Sequence, residues 1–187
     1  MGHKKNAFTL VELLIVIIIV VILSTMVMLA GGESQAAAKA TKIVSALTNL
    51  KIFALNWYKD NSNKIDKKGN FHSDGDISST STTGKTLKEY FSDSEGQKKI
   101  KNFLVGDITI SSSGGGYEIL NKDNNDGKPA WYVCYHLESN KEATKIKAKL
   151  EDKANESKNL LWQEDGNKLK VYTNGDVIYM HVITFNY

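Results

Sequence analysis

The side chains able to do chemistry in this sequence are few, and they stand in three separate settings. The first is Glu12, which sits just before an aliphatic run, Leu13 to Ala30, that holds no charge, no glycine and no proline. A carboxylate within a membrane-spanning segment costs roughly 2.5–3.5 kcal/mol at the bilayer centre and less near an interface, so such a residue is by default a functional candidate. The second is Ala130–Leu137, where Cys134 and His136 stand two apart in a strand-like segment. A period of two points them to one face, and His181 in a later strand would complete a three-donor set. No second cysteine and no paired Cys/His motif accompanies them, so zinc spacing is absent and no metal is assigned. The third is Asp123 and Asp126 in DNNDGKP. Their oxygens suit calcium, but glycine is not where an EF-hand loop needs it, and the segment reads as a turn.

Catalytic patterns are missing. There is no Ser-centred elbow, no P-loop, no dinucleotide glycine pattern and no H-E-x-x-H, so the chain reads as non-enzymatic and without a cofactor. The net charge is +3, or +1 without Lys4 and Lys5, which calls for no specific nucleic-acid partner.

The aliphatic run reaches the ~18 residues at which a segment becomes a transmembrane candidate. With Phe8–Val11 and Gly31-Gly32 it is long enough to cross a bilayer with some tilt. Lys4 and Lys5 precede it, which leaves the N-terminus cytoplasmic and the remainder outside. A short basic leader, then Asn-Ala-Phe-Thr-Leu-Val-Glu over residues 6–12, then an aliphatic helix: this order resembles the type IV prepilin signal. The resemblance implies cleavage by a prepilin peptidase between Ala7 and Phe8 and methylation of the new Phe8 amine. It makes Glu12 the acid that acts in filament assembly. Ala7 stands where the family usually has glycine, and the helix lacks the proline that often kinks it.

By that resemblance the chain is a structural subunit of a type IV pilus-like filament serving adhesion, motility or DNA uptake. It waits in the cytoplasmic membrane as a single-pass precursor and then enters an extracellular filament. Its partners are other copies of itself and related pilins, the prepilin peptidase, the pilus assembly machinery and the membrane. The implied organisation is a leader at 1–7, a transmembrane and filament-core helix at 8–32, and an exported globular domain at 33–187. A type II secretion pseudopilin is the alternative within the same class. A membrane-anchored extracytoplasmic binding module or enzyme is the alternative from another class. An ordinary secretory signal, cut among the small residues after the run, is the rival for the segment itself.

These residues need a scaffold. Ala36, Ala40, Ile43, Leu47, Leu50, Ala54 and Trp57 recur at three- and four-residue steps, which predicts that one helix continues from about Phe8 to Tyr58, with Gly31-Gly32 as the place for any bend. Asp60–Gly84 is polar and reads as an exposed loop. Short helices are expected at Thr86–Phe91 and Glu95–Leu104, strands at Asp107–Ser111 and Tyr117–Asn121, and a dense strand at Ala130–Leu137. In that strand Trp131, Val133, Tyr135 and Leu137 face one way and Tyr132, Cys134 and His136 the other. Glu142–Lys158 reads as a surface helix, with Lys147 and Glu151 spaced to pair. Leu160–Glu164, Lys168–Thr173 and Asp176–Phe185 read as a meander whose last turn is the hairpin signal Asn174-Gly175. The fold class is α+β: a long N-terminal helix, its first half membrane-embedded, packed against a C-terminal antiparallel sheet. Cys134, the single cysteine, can form no disulfide within the chain and is expected to be buried.

Overall fold

Helix α1 runs from Leu10 to Asn61, 52 residues without interruption, and passes straight through Gly31-Gly32. At 1.5 Å per residue it is about 80 Å long. The computed structural model describes residues 10–75, 77, 84–103, 111, 113–140, 142–163 and 168–186, with backbone only at 25–31 and 101–103. The expected cleavage site and the expected strand at Asp107–Ser111, all but its last residue, lie outside the described residues.

The second half of α1 carries the predicted stripe, and all seven of its residues are buried. They pack on a five-stranded antiparallel sheet and on a second helix. The sheet is built from β1 (Tyr117–Asp123), β2 (Pro129–His136), β3 (Leu161–Gln163), β4 (Leu169–Val171) and β5 (Val177–Thr184), in the order β1-β2-β5-β3-β4. Helices α2 (Leu87–Ser92) and α3 (Ser94–Phe103) precede the sheet, and α4 (Ala143–Ser157) follows β2. α4 buries Ile146, Leu150 and Ala154 at helical spacing, as the sequence predicts. The α+β class and the packing of helix on sheet are as expected.

Trp57 is the hub of the far end of the core. Its ring lies 4.9 Å from that of Phe71, 5.3 Å from Tyr90, 5.1 Å from Phe91 and 6.0 Å from Trp131. These separations are those at which aromatic pairs gain beyond simple area burial. Alternation in β2 sorts its side chains as predicted. Trp131, Val133 and Leu137 join the core against α1, with Tyr135 packed on it, while Tyr132 joins a smaller cluster with Ala130 and Leu169 on the opposite face.

Three expectations are corrected. Asp60–Gly84 is not simply an exposed loop, because its first half is built. Ile65, Phe71 and His72 are buried, and Phe71 bridges both Ile65 and Lys85. Asp66 organises the turn by accepting from the backbone N–H groups of Lys68 and Asn70, each at 2.8 Å. Gly69 then passes so close to Trp131 that a Cβ would stand 2.7 Å from its Nε1, and its φ is +78°. The approach lets Trp131 Nε1 donate to Gly69 O at 2.9 Å, a buried bond that satisfies the indole. A polar composition hid two aromatic or aliphatic anchors that the core could use.

The C-terminal strands do not form a meander. β3 and β4 pair as a hairpin, but β5 inserts between β2 and β3 and leaves β4 at the edge. Asn174-Gly175 therefore links strands that are not neighbours, and neither residue takes the positive φ a type I′ turn requires. The reason is burial: β5 sends Ile178, Met180 and Val182 into the core and needs a long partner. β2 supplies one, pairing from Ala130↔Thr184 to His136↔Val177 with a single register shift between Trp131 and Tyr132. Three-residue β4 could not.

Lys147, expected beside Glu151, instead pairs with Asp176 at 2.6 Å, fastening α4 to the start of β5. At the N-cap of the same helix, Lys39 of α1 pairs with Glu142.

Candidate functional site: the exposed half of helix α1

From Leu10 to Leu23 every large apolar side chain of α1 is at least 50 % exposed, and Leu10 reaches 83 %. Leucine, isoleucine and valine occupy the whole circumference, so no single face could bury them. A helix that is apolar all round belongs in a protein core or in lipid, not in water. Ser24 turns its hydroxyl back to Val20 O at 2.7 Å, which satisfies it within the helix. Glu12 lies in the first turn and is exposed, where a carboxylate also favours the positive end of the helix dipole. Ala7 and Phe8 lie outside the described residues. Among the described residues, no helix is long and apolar enough to cross a membrane.

Residues 2–28 match the family model of the prokaryotic N-terminal methylation motif. The chain carries the prepilin-type signal. That signal marks the precursors of type IV pilins and pseudopilins, and the match spans the positions of Ala7, Phe8 and Glu12 and most of the exposed half of α1. No curated protein and no solved structure matches the chain. The prepilin-type signal thus accounts for residues 10–28 of α1 and the residues before them, while the globular part stands on its own geometry.

The other chemistry-bearing residues of the chain are sorted by the sheet. Asp123 ends β1 opposite Pro129. Asp126 sits in the turn, where Asn124 Oδ1 accepts from the N–H groups of Asp126 and Lys128 at 2.9 and 3.0 Å. The DNNDGKP segment is a side-chain-tied turn, as read from sequence. His181 does not join Cys134 and His136. Its Nε2 lies 2.8 Å from Thr184 Oγ1, and its ring stacks edge-on with Tyr132.

Glu118, not His181, is the third donor-bearing side chain beside Cys134 and His136. In the β1–β2 ladder Glu118 pairs directly with Cys134, and both point away from α1. His136 Nε2 stands 3.0 Å from Glu118 Oε2, and Cys134 Sγ stands 3.8 Å from each of those two atoms. Lys88 of α2 reaches the other oxygen, Oε1, at 2.9 Å. Glu118 and Cys134 are buried, and His136 is half-buried. The hydrogen bond from His136 holds the Glu118 carboxyl below its usual range; burial pulls it up, and Lys88 pulls it down again. Burial, and then the neighbouring Glu118 charge, pushes the Cys134 thiol well up, so without a metal it is protonated at neutral pH. The expectation of a buried cysteine holds. Sequence reasoning missed Glu118 because its link to Cys134 is a cross-strand pairing between residues sixteen apart; only the strand register reveals it.

Proposed function

We propose that this chain is a subunit of a type IV pilus-like filament, made as a membrane-held precursor and assembled through α1. The observation that carries the reading is the contrast within one helix: an exposed, wholly apolar half following a prepilin-type signal, continuous with a half that anchors a folded domain. Leader removal between Ala7 and Phe8 would free the Phe8 amine for methylation and leave Glu12 four residues along. The apolar half would rest in the cytoplasmic membrane, with the domain of residues 33–187 outside, and would then move among identical helices.

Lipid tails and neighbouring helices are equally apolar, so packing and polar pairing must decide between them. Glu12 supplies the polar partner: its carboxylate pairs with the Phe8 amine of an adjacent subunit. Breaking one side of such a desolvated pair costs roughly 3–5 kcal/mol, and the cost would recur at each junction. Cells expressing the chain are sheared, and the filament fraction is analysed by mass spectrometry. A mature N-terminus at methylated Phe8 in that fraction is expected. An intact Met1, or a cut near Ala38, would reject the reading and favour an anchored module or a secretory signal. Replacement of Ala7 by leucine should block cutting by crowding the scissile bond, whereas Ala7→Gly should be cut at least as well.

A further inference from the structure

We infer that Glu118, Cys134 and His136 form a binding site for a single zinc ion on the outer face of the β1–β2 hairpin. The three ligand atoms lie within 4.8 Å of one another, and no other set of three metal-ligating side chains converges among the described residues. Their separations are 3.0, 3.8 and 3.8 Å. A tetrahedral zinc with bonds of ~2.3 Å to sulfur and ~2.0–2.2 Å to nitrogen and oxygen requires ligand–ligand edges of about 3.4–3.6 Å. Each observed edge is within roughly 0.4 Å of that requirement, a shift that small side-chain rotations supply.

The donor set chooses the metal. One sulfur, one imidazole nitrogen and one carboxylate oxygen suit zinc, whereas calcium and magnesium take oxygen alone. Three protein ligands leave the fourth position for water, and the partly exposed side of His136 is the way in. Lys88 holds Oε1 and leaves Oε2 turned toward the sulfur and the imidazole. A lysine–glutamate–histidine cluster would satisfy its own charges without any sulfur. What that explanation does not need, and a metal does, is Cys134 Sγ standing equidistant from the other two donors.

On binding, Cys134 gives up its thiol proton to solvent and its sulfur bonds the ion. His136 releases the Nε2 proton it shares with Glu118 to solvent and holds its ring proton on Nδ1 (taken up from solvent if the ring was neutral). It uses the freed Nε2 lone pair, and Glu118 Oε2 supplies the third bond. Nothing is oxidised or reduced. The ion would clamp β1 to β2 in a chain whose single cysteine can close no disulfide.

The test uses the full chain in detergent, titrated with zinc and then with cobalt as its spectroscopic stand-in. Expected are one equivalent of zinc bound at about micromolar affinity or tighter, a raised melting temperature, and a thiolate-to-cobalt charge-transfer band. Because the chain has one cysteine, that band in the unaltered protein reports Cys134 by itself, whether or not any variant folds. Cys134→Ser should abolish the band and weaken zinc at least ~100-fold, His136→Gln should weaken it similarly, and Glu118→Gln about tenfold. His181→Gln, on the same face but bonded elsewhere, should bind as the unaltered chain does. Absence of saturable zinc binding, a cobalt spectrum without the thiolate band, or equal weakening by His181→Gln would each overturn the site.

Discussion

The two halves of α1 have the same backbone and opposite relations to the rest of the chain. From Ala36 to Trp57 most large apolar residues keep to one stripe, Ile52 excepted, and the folded domain buries that stripe almost completely. From Leu10 to Leu23 they surround the axis, and none of the described residues covers them. Helix propensity does not separate the halves; the angular distribution of apolar side chains does. A stripe can be buried by one domain, whereas a full circumference needs a surrounding medium, either lipid or a ring of similar helices. The charged residues follow the same division. Lys39 and Lys51 lie off the buried stripe of the lower half, while the upper half carries the single acid Glu12.

The change that should break this comparison hardest is Glu12→Ala. Loss of filaments in the sheared fraction is expected, with membrane-bound and cleaved subunit at normal levels in the same cells. The anchor itself gains by losing a charge, so a plain anchor predicts no defect. Normal filament yield would leave the upper half as membrane anchor alone.

Next in size is a matched pair of truncations. Leu47→Ala, fully buried, should destabilise the domain by about 2–5 kcal/mol, read as a lowered denaturant midpoint. Ile17→Ala removes a similar side chain from the exposed half and should leave that midpoint unchanged while lowering filament yield. Equal effects on domain stability would mean that the upper half folds back onto the domain.

A smaller effect is expected where the polar segment re-enters the core. Thr86 caps α2 through a reciprocal pair: its hydroxyl accepts from the Glu89 N–H, and the Glu89 carboxylate accepts from the Thr86 N–H at 2.8 Å. Thr86→Ala should cost about 1 kcal/mol in domain stability.

The smallest concerns pH. Burial pulls the Asp66 carboxyl up, but the hydrogen bonds it accepts from Asn70, His72 and Lys68 outweigh burial and hold it below its usual range. A carboxyl lowered by folding contributes stability above its unfolded value, about pH 4, and that contribution is lost as pH falls through the lower folded value. Protection of the Asn70 and His72 amides from exchange should therefore fall in acid ahead of protection in the stripe of α1. Asp66→Asn should remove the acid dependence. Simultaneous opening of both regions would show that the Asp66 turn has no stability of its own to lose.

Glu118 and β5 mark where the sequence stops being legible. Periodicities are local quantities. A 3.6-residue period over Ala36–Trp57 forces a helix with one apolar face, and a period of two over Ala130–Leu137 forces a strand with two faces, whatever the rest of the chain does. The prepilin-type order of basic leader, Ala7-Phe8, Glu12 and aliphatic run is local too, and so it could be read directly. Polar turn chemistry at Asn124 was likewise contained in a few consecutive residues. Strand partners are not local. Nothing in Asp176–Phe185 states that it will lie beside β2 rather than beside β4, and the hairpin signal at Asn174-Gly175 was outweighed by the area β5 buries against a longer neighbour. The same register placed Glu118 opposite Cys134, and the same core drew Ile65 and Phe71 out of a polar tract. The sequence determined which elements exist and which half of α1 must find its cover outside the chain. Tertiary structure decided which strands meet, because that choice is made by total buried area across the sheet, and with it which side chains come within bonding distance.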